Sequence, residues 1–244
     1  MKGPLFYSKI LLFGEYGIIK DSKGLSIPYN FYNGALKIDG ASTEQAQASN
    51  QSLIRFTNYL KELTKQQPEL VQFDFESLDR DLQAGMHFDS SIPQGYGVGS
   101  SGALVAAIYD KYALSKISIL ENLTREKLLR LKEIFANMES FFHGKSSGLD
   151  PVNSYLSIPI LINSKDNIEA TGIPTQRPEG SGAVFLLDSG IVGETAPMVQ
   201  IFMENLKDKG FRNMLKNQFV KYTDACVENF LAGDLKSLFE NTKQ

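Results

Sequence analysis

The sequence predicts a globular chain of mixed strands and helices, and three observations carry that reading. Apolar residues make up 42% and charged residues 22% of 244 positions, the ordinary balance of a chain long enough to bury a sizeable core. Short runs rich in β-formers alternate with longer runs whose apolar residues recur at helical spacing. Glycine and proline cluster between those runs, where a chain has to turn. The same composition excludes other classes. A formal net charge of -3 leaves no basic footprint for nucleic acid, and no segment approaches the about 18 uninterrupted apolar residues that a membrane span requires. The single cysteine, Cys226, excludes an internal disulfide and a cysteine-based metal site, and fits a reducing, cytoplasmic compartment. The start MKGPLFYSKILLFGEYGII is interrupted by glycines, a glutamate and two lysines, with no small-residue cleavage site after it. It reads as a buried strand, not as a leader.

Taken in order, Leu5 to Phe13 reads as a strand ending at Gly14, with another short strand near Ala35 to Ile38. GASTEQAQASNQ is polar and reads as a loop. From Ser52 the residues Leu53, Phe56, Tyr59, Leu60 and Leu63 fall on one helical face, and QQPEL stops that helix before an expected strand at Val71 to Phe75. A strand around Met86 to Ile92 leads into PQGYGVGSSGA. The run Ser101 to Ser115 is apolar on nearly every side, which predicts a helix deep in the domain. A longer helix is expected from Thr124, ended by Gly144. SYLSIPILI reads as a strand, GIPTQRPEGSG as a loop at a domain boundary, and AVFLLDSG as a buried strand. From Pro197 onward two or three helices are expected.

The glycine loop poses the functional question. Glycines let backbone N–H groups approach an anion without interference from Cβ, and a helix that starts at once adds its positive end. Phosphate is the natural occupant, although the spacing is neither that of a P-loop nor that of a dinucleotide fingerprint. The alternative is a turn whose serines merely cap a core helix. Lys9 lies in an otherwise apolar strand, where burial is costly unless an anion meets it; otherwise it is a snorkelling surface lysine. Glu139 sits near a helix C-terminus, where the dipole disfavours a carboxylate, and read alone it is a solvated charge. Asp150 follows the flexible GKSSG, and read alone it is a turn residue before Pro151. Together the residues include a phosphate cradle, oxygen ligands for magnesium, a carboxylate to receive a proton and a cation, which are the parts a phosphoryl-transfer site needs.

At these residues the chain resembles the GHMP small-molecule kinases, the family of galactokinase, homoserine kinase, mevalonate kinase and phosphomevalonate kinase. SKILLFGEYGII is similar to that family's first motif, PQGYGVGSSGA to its second, and ESFFHGKSSGLD to the mevalonate kinase form of the segment that bears the catalytic aspartate. The resemblance implies an α+β fold: an N-terminal ATP-binding domain of the ribosomal-protein-S5 domain 2 type, over residues 1–180, and a ferredoxin-like C-terminal domain, incomplete over 181–244. It implies ATP and Mg2+ as cofactors. Gly95, Gly97, Val98, Gly99, Ser100, Ser101, Gly102 and Ala103 would bind the nucleotide, and Ser101 with Glu139 would ligate the metal. Asp150 would be the catalytic base and Lys9 its catalytic partner, with Lys9, Glu15, Tyr16, His143 and Asp150 around the acceptor. The implied activity is phosphorylation of the primary alcohol of mevalonate, for isoprenoid precursor synthesis, by a cytoplasmic enzyme with a small-molecule substrate and with neither nucleic acid nor membrane as partner; a homodimer is left open.

Departures from the family pattern bear on the substrate. Gly14-Glu15-Tyr16 is a form frequent in phosphomevalonate kinases, whereas HGKSSGLD follows the mevalonate kinase pattern. Val98 in place of leucine and Gly102 in place of alanine read as mild changes. The third family motif, a second glycine-rich segment, is not found after Gly190. That absence keeps a catalytically silent nucleotide-binding relative as an alternative. It also leads to the expectation of a truncated form of a kinase of ~300 residues or more, weakly active alone.

Overall fold

The computed structural model describes residues 3–118, 123–174, 186–188, 190–191, 193 and 195–244. The chain forms two compact units. One comprises Met1–Ile10, Pro28–Pro93 and Val98–Ser157, and the other Leu11–Ile27, Gln94–Gly97 and Ile158–Gln244.

In the first unit, the strand β1 (Phe6–Phe13) enters with Phe6, Ser8 and Lys9 buried. The later half of β2 (Gly24–Ile38) pairs antiparallel with β3 (Met86–Ser90), from Gly34 opposite Ser90 to Ile38 opposite Met86. Helix α1 (Glu44–Gln66) begins eight residues before the point at which apolar spacing becomes legible. Its start is fixed by polar groups: the Thr43 hydroxyl accepts the Ala46 N–H at 3.1 Å. The buried Asn50 amide donates to the carbonyls of Leu82 at 3.1 Å and Met86 at 2.7 Å. The strand expected at Val71–Phe75 is reduced to one bridge, Phe73 opposite Ala113. Asp74 instead caps α2 (Phe75–Gln83), accepting the Ser77 N–H at 3.0 Å, and Leu78 and Leu82 one turn apart bury its inner face.

Helices α3 (Ser100–Tyr112), α4 (Arg125–His143) and α5 (Leu149–Leu156) complete this unit. As its composition predicts, α3 is buried almost all round, from Gly102 and Ala103 through Val105–Tyr109 to Tyr112. Gly144 ends α4 as expected, its N–H bonded to the Ser140 carbonyl at 2.9 Å. Tyr109, Phe135 and Tyr155 meet edge to face, with centroids 4.9, 5.2 and 5.6 Å apart, and join α3, α4 and α5 in one core. The strand expected over SYLSIPILI starts late, because its first residues finish α5. Ser157 then leaves the helix at φ 51°.

In the second unit, β4 (Ile160–Ser164) pairs antiparallel with the start of β2, Gly24 opposite Ile162, and β5 (Asn167–Ala170) pairs with β4. Four helices follow: α6 (Thr195–Asn205), α7 (Lys209–Met214), α8 (Lys221–Ala232) and α9 (Leu235–Asn241), with a π-helical turn at Leu215–Val220 joining α7 to α8. The ending is helical as read from the sequence, but among the described residues it is divided into four helices, not the two or three expected. Of the strand expected at Ala183–Gly190, residues 186–188 are irregular, while 183–185 and 189 lie outside the described residues, as does most of the expected boundary loop.

Replacing Asn50 by alanine removes two buried hydrogen bonds that a smaller side chain cannot restore. Asn50→Ala is expected to lower stability by about 1–3 kcal/mol, read as a lower denaturation midpoint at unchanged m. A midpoint equal to that of the parent chain would show that the α1 register does not depend on it.

Candidate active site

The polar cluster of the first unit is assembled at the N-termini of two helices. Helix α3 starts at Gly99, whose φ of 83° lies in the left-handed region, and no side chain caps it. Its first N–H groups therefore have no intrahelical partner and point out of the helix end, which is an anion site by construction. A Cβ on Gly99 would stand 3.0 Å from the Lys9 Cγ, so glycine is required here both for the turn and for room beside the lysine. The backbone fixes that neighbourhood, since the Lys9 N–H donates to the Val98 carbonyl at 3.0 Å.

Lys9 is buried, and its Nζ lies 3.0 Å from the Asp150 Oδ1. The anion that a lysine in this strand requires is therefore Asp150, on the first turn of α5. Helix α5 starts at Gly148 (φ 73°), and its positive end further favours the carboxylate. The Asp150 side chain is 36% exposed against 9% for Lys9, so the aspartate is open to an incoming group while the lysine is not.

Glu139, near the end of α4, is only 4% exposed. The Ser101 hydroxyl donates to its Oε1 at 2.8 Å, and the Ser146 hydroxyl donates to its Oε2. Because the Ser101 proton is directed at the carboxylate, the His143 Nε2, 3.0 Å from the same Ser101 oxygen, is the donor to it. Burial foremost, and then the negative charge of Asp150, push the Glu139 carboxyl up to about 7, against the pull of the two serine hydroxyls and the Lys9 ammonium.

Ser101 and Glu139 are the residues that the family resemblance implies would hold Mg2+. The described residues contain no group of three or more His, Cys, Asp or Glu side chains able to hold a metal. One carboxylate beside one serine hydroxyl is, however, the sparse protein set that Mg2+ accepts when phosphate oxygens and water supply the rest of its octahedron.

The structure thus brings together Lys9, Gly99, Ser101, Glu139, His143 and Asp150, with Val98, Ser100, Gly102 and Ala103 on the same turn and helix. Gly95 and Gly97 lie on the preceding loop in the second unit, with φ of 81° and 70°. Glu15 and Tyr16 also lie in the second unit. Glu15 is exposed, and Tyr16 stacks on Phe202 at 5.5 Å beside Leu206 and Leu215. His143, read from the sequence as an acceptor-side residue, stands on the Ser101 side of the cluster. Sequence reasoning missed Ser146; the only available signal was two adjacent serines in GKSSG, with nothing to say which of them turns inward.

Gly102 also departs from the mild reading. A Cβ there would stand 2.8 Å from the Asp150 carbonyl carbon and 2.9 Å from the Pro151 nitrogen, both backbone atoms. The absence of a side chain is what lets α5 lie against α3 and carry Asp150 to Lys9.

Residues 58–157 match the family described as GHMP kinases N terminal domain. Over that stretch the chain is similar to a GHMP kinase N-terminal domain, and the match supports a kinase. Its fold, helices with an antiparallel sheet, is the α+β arrangement expected for that family. It is similar to the fold of L. major mevalonate kinase in complex with R-mevalonate, with a TM-score of 0.57 and 19% identity over 99% of this chain and 72% of that one. It is similar also to that of the Methanococcus jannaschii mevalonate kinase, with a TM-score of 0.51 and 14% identity over 95% of this chain and 72% of that one. No curated protein matches the chain. No helix among the described residues is long and apolar enough to cross a membrane.

The contact at Gly102 gives a prediction opposed to helix propensity. Alanine is favoured over glycine by about 1 kcal/mol inside a helix, yet Gly102→Ala is expected to lower the melting temperature because it forces α3 and α5 apart. An equal or higher melting temperature would show that the two helices can separate without cost.

Proposed function

We propose that this chain is an ATP- and Mg2+-dependent kinase that phosphorylates the primary hydroxyl of mevalonate, with its product used in isoprenoid precursor synthesis in the cytoplasm. The observation that carries the reading is the pairing of Lys9 with Asp150 at 3.0 Å beside the uncapped, glycine-started N-terminus of α3. In this reading Asp150 accepts the proton of the acceptor hydroxyl as the new P–O bond forms and the bond from the γ-phosphorus to the bridging oxygen breaks, releasing ADP. Lys9, in contact with Asp150, offsets negative charge on the reacting oxygens during transfer. The N–H groups at the start of α3 hold phosphate oxygens, with Gly95 and Gly97 as further nucleotide-loop residues. Mg2+ held by Ser101 and Glu139 would neutralise phosphate charge. Glu15 and Tyr16 are proposed as acceptor-side residues, and His143 as a donor to the Ser101 oxygen.

Mevalonate is favoured over its phosphate on two grounds. The HGKSSGLD segment follows the mevalonate kinase pattern, and solved proteins with a similar fold are mevalonate kinases. A phosphorylated acceptor would also need spare cations, and Lys23, one candidate, is engaged by Glu228 through its ammonium and by Asp224 through its N–H.

The test is ADP release measured with mevalonate and with phosphomevalonate as acceptors. Turnover with mevalonate is expected; turnover with phosphomevalonate alone would move the assignment to that acceptor, and none with either would favour a silent nucleotide-binding relative. Asp150→Asn keeps the size of the side chain but accepts no proton, and should lower kcat by about 10²–10⁴-fold while ATP still binds. Lys9→Met should lower kcat more than it weakens ATP binding. Glu139→Gln and Ser101→Ala should each raise the Mg2+ concentration needed for half-maximal rate. Full turnover by Asp150→Asn would remove the proposed base.

A further inference from the structure

The Glu139 carboxylate is held from two sides, and only one of them is the nucleotide loop. On Oε1 it receives the Ser101 hydroxyl at 2.8 Å. On Oε2 it receives the hydroxyl of Ser146, from the turn between α4 and α5. Ser146 has a second engagement, since its oxygen accepts the Gly148 N–H at 3.0 Å. A serine hydroxyl has one proton to give and lone pairs to receive, so this assignment uses it in both directions. Gly148 is itself pressed on α4: a Cβ there would stand 2.2 Å from the Lys132 carbonyl oxygen and 2.6 Å from the Ala136 nitrogen. It is also the residue from which α5 starts, two positions before Asp150.

The two serines differ in what binding a cation asks of them. To ligate Mg2+, Ser101 must turn a lone pair to the metal, so its position answers to the cation as well as to Oε1. Ser146 reaches the opposite oxygen from a turn outside the nucleotide loop, and its bond can persist. Resting on the reading of Glu139 as a metal ligand, we infer that Ser146 is a positioning residue for the metal: it fixes the Glu139 carboxylate through Oε2 so that Oε1 faces the cation, and it ties that orientation to the start of the helix bearing Asp150. A partner that orients a ligating carboxylate in this way commonly affects metal affinity by 10–100-fold.

The experiment uses the whole chain with Mn2+ as probe in the presence of ATP, counting free Mn2+ by electron paramagnetic resonance and recording the melting temperature in metal-free buffer. Ser146→Ala is expected to weaken Mn2+ binding by about 10-fold or more, and Ser146→Thr, which keeps the hydroxyl, to stay within about two-fold of the parent chain. A purely structural serine would lower the melting temperature and leave Mn2+ binding as it was, and that result overturns the inference while leaving the kinase reading in place. If the parent chain itself takes up no Mn2+ with ATP, both fall. Should Ser146→Ala not fold, Ser146→Val compared with Ser146→Thr gives the same contrast at constant shape, and equal Mn2+ affinity in that pair likewise overturns it.

Discussion

The ammonium of Lys9, drawn from water into a strand of apolar neighbours, must meet a negative charge at contact distance, and the first unit is arranged so that Asp150 supplies it at 3.0 Å. Removing either partner from such a pair leaves the other partner's charge uncompensated, which is costly where water is scarce. The requirement propagates outward. Asp150 has to arrive on a rigid support, which is the first turn of α5. That turn has to lie against α3, and it does so because Gly102 presents no side chain to it. The small residues of α3 thus serve an electrostatic end as much as a packing one.

Charge counting explains the rest of the cluster. Two carboxylates, Asp150 and Glu139, share the influence of one lysine, and Lys9 is spent mainly on Asp150. Glu139 is left deep, with serine hydroxyls as its hydrogen-bond donors and its affinity for a proton raised by burial. A divalent cation arriving with nucleotide phosphates would reverse that balance, supplying positive charge to Glu139 and to the phosphates at once.

Much of this was legible in the sequence, for reasons that differ by residue. Lys9 could be read because a charge inside an apolar strand is an anomaly with few remedies. The glycine loop could be read because positive φ at Gly95, Gly97 and Gly99 is a backbone demand that residue type reveals. The burial of α3 followed from its composition. What escaped detection was set by contacts remote in sequence. The early start of α1 depends on Asn50 reaching carbonyls 32 and 36 residues away. The expected strand at Val71–Phe75 shrinks to one bridge and α2 goes unread, because Phe73 and Phe75 favour extended structure locally, while the cap at Asp74 and the burial of Leu78 and Leu82 prevail. Ser146 and the tight approach at Gly102 are facts of how helices meet, which no single segment encodes.

The chain passes back and forth between its two units, since Leu11–Ile27 and Gln94–Gly97 belong with the segment after Ile158 while the stretches between them belong to the other unit. This has a consequence for biogenesis. The start of β2 leaves the ribosome early, but its partner strand β4 is made more than a hundred residues later, and the Asp224 that receives the Lys23 N–H lies 201 residues downstream. Until then, the edge of β2 that β4 will cover has exposed ladder groups. Folding of the second unit is thereby delayed until β4 and α8 have been made, with a high loop-closure cost, whereas the first unit acquires its last strand-forming and helical segments by Ser157. During this interval the early hairpin region is the part of the molecule most in need of chaperone protection.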